Sequence, residues 1–136
     1  MQNEKVRTET SSQRPIRDIE ARTFDPAVRV VRLCKSLVAK PGVSRTIGHQ
    51  LLRAGTSIGA NVEDAQAAQS RADFLCKMCI ALKESREAEY WLRLLAGAEI
   101  VKPDLLAPLS DENNQICSIL GAIVRSTRRR AKGVLS

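Results

Sequence analysis

A chain of 136 residues suits one domain, and at this length roughly two thirds of the unfolded surface can be buried. Hydrophobic residues make up 43%, which excludes a wholly disordered chain. Aromatics are only 3%, so aliphatic residues and alanine must fill the core, which suits helices better than a sheet. The net charge of +7 is uneven: residues 25–124 hold twelve basic and eleven acidic groups, whereas residues 125–136 hold five basic and none acidic.

Residues 1–24 mix charge, Ser, Thr and Gln without an apolar period and are expected to form a flexible arm. The arm lacks the apolar segment of a signal peptide. The longest uncharged apolar run, ICSILGAIV at 116–124, is about half a membrane span. A cytoplasmic protein with reduced thiols and no membrane contact is therefore expected.

A first helix is expected from Asp25-Pro26, a good cap followed by a residue suited to the first helical position. Val28, Val31, Leu33, Cys34, Leu37 and Val38 give its apolar spacing, and Lys40-Pro41-Gly42 ends it. A second helix is expected after Ser44, with Ile47, Leu51, Ala54, Ile58, Val62 and Ala65 on one stripe, running to about Ala68.

The third helix opens at Ser70, which can cap the amide of Asp73. Phe74, Met78, Ala81, Ser85, Ala88, Leu92 and Leu95 then form a heptad-like seam broken by one serine. Pro103 suits the start of a fourth helix, and Pro108 is expected to kink or restart it, with Ser110 as a fresh cap. Its apolar face is Ile116, Ile119, Leu120, Ile123 and Val124, and residues 129–136 form a basic tail. With no convincing strand, these elements make an all-α, antiparallel up-down four-helix bundle over residues 25–128.

The stretch AGTSIGANVED at 54–64 is unusual for a helix, since each interior glycine costs roughly 1 kcal/mol relative to alanine. Ala54, Gly55 and Gly59 make a strip without bulk, against which a neighbouring backbone can pack closely. Ser57 and Asn61 lie one turn apart beside it. A buried asparagine must find partners, and the acidic cluster Glu84, Glu87 and Glu89 is the nearest supply. Asn61 or Ser57 is therefore expected to bond one of these carboxylates, Glu87 first, fixing helix register.

Here the sequence resembles a known family, the four-helix-bundle proteins of intervening sequences in large-subunit ribosomal RNA genes. Arg53, Ala54, Ser57, Ile58, Asn61 and Val62 match the first part of its pattern. Ser70, Asp73, Phe74, Ile80, Ala81 and Glu87 match the second. The family's Glu-Gly after the asparagine reads Asp64-Ala65 here, and its Gly-Ser before the glutamate reads Lys83-Glu84. The resemblance implies a left-handed bundle, assembly as a homo-oligomer, commonly a pentamer, and no known catalysis. A related accessory protein of diversity-generating retroelements binds nucleic acid and a reverse transcriptase, which extends by analogy to RNA, DNA or such a protein as partners.

Few constellations suggest chemistry. Cys76-Lys77-Met78-Cys79 is a C-x-x-C, but it lies within a helix rather than at a strand-to-helix turn. With Cys34 and Cys117 it could form a bundle-core metal or redox centre; the plainer reading is small buried hydrophobes, no metal and no cofactor. Glu63, Asp64, Glu84, Glu87 and Glu89 could suggest a di-metal carboxylate bundle, but His49 is the only histidine, so its usual Glu-x-x-His pairs are absent. The plainer reading is an i, i+3 glutamate pair, Glu84 and Glu87, facing Arg53 and Arg86. Tyr90 and Trp91 point about 100° apart on a helix, so one is expected to serve the core and the other a subunit contact.

Arg125, Arg128, Arg129, Arg130 and Lys132 are candidate phosphate contacts, the first three on one helical side; the plainer reading is a solvated helix end. No aromatic is interleaved for base stacking. In a pentamer, five such segments would act together with high avidity. The expected function is a non-enzymatic homo-oligomeric scaffold or nucleic-acid accessory, with a protein-only adaptor as the alternative.

Overall fold

The computed structural model describes residues 14–134, with side chains described from Ile19 to Gly133. Four helices follow in order: α1 (Arg14–Ala39), α2 (Val43–Gln66), α3 (Arg71–Gly97) and α4 (Pro103–Val134). Among the described residues there is no strand. Each helix packs against its chain neighbours, and α1 closes the ring against α4.

Contacts across each seam fix the direction. Gly48, Gly55 and Gly59 face Leu37, Val30 and Thr23, so α1 and α2 run antiparallel. Arg53 meets Glu87 and Asp64 meets Lys77, which makes α2 and α3 antiparallel. Glu89 meets Ser110 and Cys79 meets Arg128, which does the same for α3 and α4. The fold is thus the expected up-down bundle of four helices.

The helix starts differ from expectation. α1 begins at Arg14, so Pro26 lies inside it and part of the expected arm is helical; the rest of the arm, residues 1–13, lies outside the described residues. Pro26 removes one backbone hydrogen bond. Burial offsets this, because Ile19 (0% exposed) and Thr23 (3%) continue the stripe of Val30, Cys34 and Leu37 toward the N-terminus.

The cap of α2 is Gly42 rather than Ser44. Gly42 sits at φ 95° and the amide of Thr46 donates to its carbonyl. A side chain at positive φ is disfavoured, so the tight link from α1 selects glycine there. Arg45 Nε donates to the carbonyl of Val38 at 2.9 Å, satisfying one of the acceptors that the end of α1 leaves open.

Ser70 caps α3 by accepting from the amide of Asp73 at 3.0 Å. The other end closes in a Schellman motif: the amide of Ile100 donates to Leu95 and that of Glu99 to Ala96. The left-handed position is Glu99 (φ 58°), where glycine is usual. Lastly, α4 runs through Pro108 without restarting. Ser110 is not a cap; its hydroxyl donates to Glu89 at 2.7 Å.

The core is aliphatic. Leu51, Val62, Met78, Leu95, Ile116 and Leu120 are essentially inaccessible. Ser85 interrupts the α3 seam at 0% exposure, yet both its polar groups are used. Its hydroxyl donates to Leu82, and its carbonyl accepts from Asn113 Nδ2 at 2.9 Å.

Candidate nucleic-acid interface

Along the α1–α2 seam, a Cβ built on Gly55 would lie 2.7 Å from Val30 Cγ1, and one on Gly48 would lie 2.9 Å from Leu37 Cβ. Both separations are too short for real carbon atoms. The seam is therefore as close as it is because those positions carry no side chain. At Gly59 the nearest atom is the carbonyl oxygen of Thr23, at 3.4 Å, an ordinary contact.

The polar group beside this strip is arranged differently from expectation. Asn61 Nδ2 donates to the carbonyl of Ser57 at 2.8 Å and to its hydroxyl at 3.0 Å, within its own helix. Neither residue reaches Glu87. The α2–α3 register gives the reason: Arg53 stands opposite Glu87, so Asn61 stands opposite Cys79, roughly 12 Å further along α3.

Arg53 instead gathers the carboxylates. It pairs with Glu84 at 3.3 Å and donates to Glu87, which also accepts from Trp91 Nε1 at 3.4 Å. Burial, together with the neighbouring Glu87, raises the Glu84 carboxyl above its usual range against the pull of Arg53. For Glu87 burial also acts upward, but its hydrogen bonds with Glu84 and Trp91 and the Arg53 charge outweigh it and lower the group.

Trp91 is half-buried against the core, while Tyr90 is 50% exposed and packs edge-on to it, with ring centroids 5.1 Å apart. The cysteines do not behave alike. Cys34 is buried, and burial pushes its thiol up to about 11. Cys79 and Cys117 are half-buried, and Cys76 is exposed, which corrects the expectation that all four are interior. Among the described residues no group of His, Cys, Asp or Glu is placed to hold a metal ion, and His49 is exposed.

The basic residues are not a loose tail. α4 continues to Val134, so Arg125, Arg128, Arg129, Arg130 and Lys132 all project from one rigid helix. All five are exposed, and among the described residues none pairs with a carboxylate. Three of them line two different recesses. Arg130 lines a recess with Arg71 and Phe74 at the start of α3. Arg125 and Arg128 line another with Lys83 and Arg86 of α3.

Two side chains in this second recess lie against its walls. Arg128 Nη2 lies 3.5 Å from Cys79 Sγ. Arg125 Nη1 lies over Gly121, 3.2 Å from where a Cβ would stand. Arg86 was expected to face the glutamates, but among the described residues Arg53 alone pairs with Glu84 and Glu87, and Arg86 lines this recess instead; Lys83 carried no such expectation. Lys83 and Arg86 sit one turn apart on the outer side of the α3 seam, and only the α3–α4 register shows that they face Arg125 and Arg128.

No helix among the described residues is long and apolar enough to cross a membrane. None of the curated proteins matches the chain. A similar solved structure is a crystal structure of a protein with unknown function from the S23 ribosomal protein family of Bacteroides thetaiotaomicron VPI-5482. It is 40% identical, with a TM-score of 0.75, and the match covers 82% of this chain and 98% of that one. The family model of the 23S rRNA-intervening sequence protein matches residues 18–122, which leaves Arg125 to Lys132 beyond the matched region. With most of its length matched, the chain belongs to the 23S rRNA-intervening sequence protein family.

Proposed function

We propose that this protein is a non-enzymatic, homo-oligomeric bundle that serves as a nucleic-acid accessory or scaffold, with the C-terminal turns of α4 contacting phosphates. The observation that carries this reading is the set of five exposed cations on the last turns of one helix, none with a carboxylate partner among the described residues. Unpaired cations held on a rigid helix attract a phosphate backbone and release its counterions.

Phe24, Val31, Val43, Tyr90 and Leu105 are exposed apolar side chains available for self-association. The same side chains support the second reading, a protein-only adaptor. Binding of a mixed RNA or DNA, followed over several salt concentrations, separates the two. Affinity is expected to fall steeply with salt, and less steeply once the five cations are replaced by glutamine. Light scattering on a size-exclusion column is expected to give several times the monomer mass. Absence of binding at low salt would leave the adaptor reading in its place.

A further inference from the structure

We propose that Lys83 and Arg86 of α3 join Arg125 and Arg128 of α4 in one two-helix trough that seats the phosphate backbone of a double-stranded nucleic acid. The inference rests on the nucleic-acid reading above and adds the site and the class of ligand. Four cations line one recess, and no acidic or aromatic residue does. Among the described residues, none of the four is paired with a carboxylate. Like charges gathered this way repel one another unless an anion sits between them.

The spacing suits a polyanion. On each helix the two cations stand one turn apart, about 4.5 Å of rise, and packed helices lie about 8–10 Å apart. Along a duplex strand a phosphate recurs about every 3.4 Å of axis, so the trough spans two or three of them. Its floor is Leu82 and Val124, which offer neither stacking face nor hydrogen bond. Single-strand binding draws much of its affinity from stacking on aromatic rings, and base reading needs amide or guanidinium groups aimed at base edges. Of its three guanidinium groups, that of Arg128 lies against Cys79 and that of Arg125 lies along its own helix over Gly121, which leaves Arg86 alone without such a contact. A shape-presented backbone is therefore the ligand that uses every group in the trough.

The test uses the full chain and three labelled probes of equal length: a DNA duplex, an RNA duplex and a mixed-sequence single strand. Wild type is expected to bind both duplexes more tightly than the single strand. K83Q/R86Q, whose side chains are exposed, is expected to lose about tenfold in duplex affinity and to flatten the log–log salt slope by about two. R125Q/R128Q is expected to act similarly. In a Cys76→Ser background, the duplex is expected to slow alkylation of Cys79 in the trough wall. An unchanged slope in K83Q/R86Q beside a reduced one in R125Q/R128Q overturns the trough and leaves phosphate binding by α4 alone. Tighter binding of the single strand overturns the duplex assignment. Failure of wild type to bind any probe at low salt removes the nucleic-acid reading itself.

Discussion

Between α1 and α2, glycine backbone meets Val30 and Leu37, and among the described residues the side-chain hydrogen bond that crosses the contact, Arg45 to the Val38 carbonyl, lies at its end. Between α3 and α4, polar side chains cross at three levels: Ser110 to Glu89, Asn113 to the Ser85 carbonyl, and Arg128 to Cys79. The first seam depends on dispersion, which falls away within an ångström of separation. The second uses directional bonds, which hold two helices in register while leaving space beside them. The recess with four cations lies along the second seam. The difference teaches that closeness and access are divided between seams: one side of the bundle is sealed, and the other keeps an open, charged face.

The strongest way to break this contrast is to put bulk into the sealed side. Gly55→Leu is expected to lose more than about 3 kcal/mol, and Gly55→Ala about 1–2 kcal/mol, because overpacking outweighs the gain in helix propensity. Val30 is β-branched and has little rotamer freedom with which to move aside. Gly59→Ala meets nothing closer than 3.4 Å and is expected to gain about 0.5–1 kcal/mol from helix propensity. Denaturant unfolding measures all three. If Gly55→Ala is as stable as wild type, α1 can retreat freely and closeness does not define that seam.

On the open side, Asn113→Ala is expected to lose about 2 kcal/mol, from a buried hydrogen bond and the space left behind. Amide exchange is expected to rise near Ser85 and Asn113 and to stay unchanged along α1 and α2. A uniform rise across all four helices would mean that the two seams do not differ in how they are held.

Much of the fold was legible in the sequence because its signals were local. The Ser70 cap, the α3 seam and the small strip on α2 each follow from spacing within one segment. The errors have a common physical source. Pro26 read as a helix start and Pro108 as a kink or restart, but burial on either side carried both helices through them without a new start. Ser44 and Ser110 read as caps, yet a glycine turn and a glutamate on another helix set their roles. Site residues suffered most. Placing Asn61 against Glu87 required the α2–α3 register that the Arg53–Glu87 and Asp64–Lys77 contacts reveal, and seeing Lys83 and Arg86 as partners of Arg125 required the α3–α4 alignment.

The link into the open seam offers a smaller effect. Glu99 holds a left-handed conformation that is unfavourable for a residue with a side chain. Glu99→Gly is expected to raise stability by about 1 kcal/mol while preserving the Ile100-to-Leu95 hydrogen bond. A loss of stability would indicate that the Glu99 side chain makes a contribution larger than its backbone strain.

The smallest expected effect lies in the α2–α3 seam, between the sealed and open sides, where Arg53 meets two glutamates whose titrations oppose one another. Folding raises Glu84, so the folded chain holds that proton more tightly than the unfolded chain. Its contribution is present at low pH and is lost as pH rises through its folded value. Folding lowers Glu87, so its contribution is present above the usual carboxylate range and is lost as pH falls. In the wild type the two slopes are expected to offset each other partly across the carboxylate range. Removing one partner should expose the other: Glu84→Gln is expected to make stability fall more steeply with acid, and Glu87→Gln less steeply. Unfolding midpoints measured from pH 3 to 6 test this, because the two variants must depart from wild type in opposite directions. Departure in the same direction would mean that Arg53 governs a single shared titration and that the seam has no internal division.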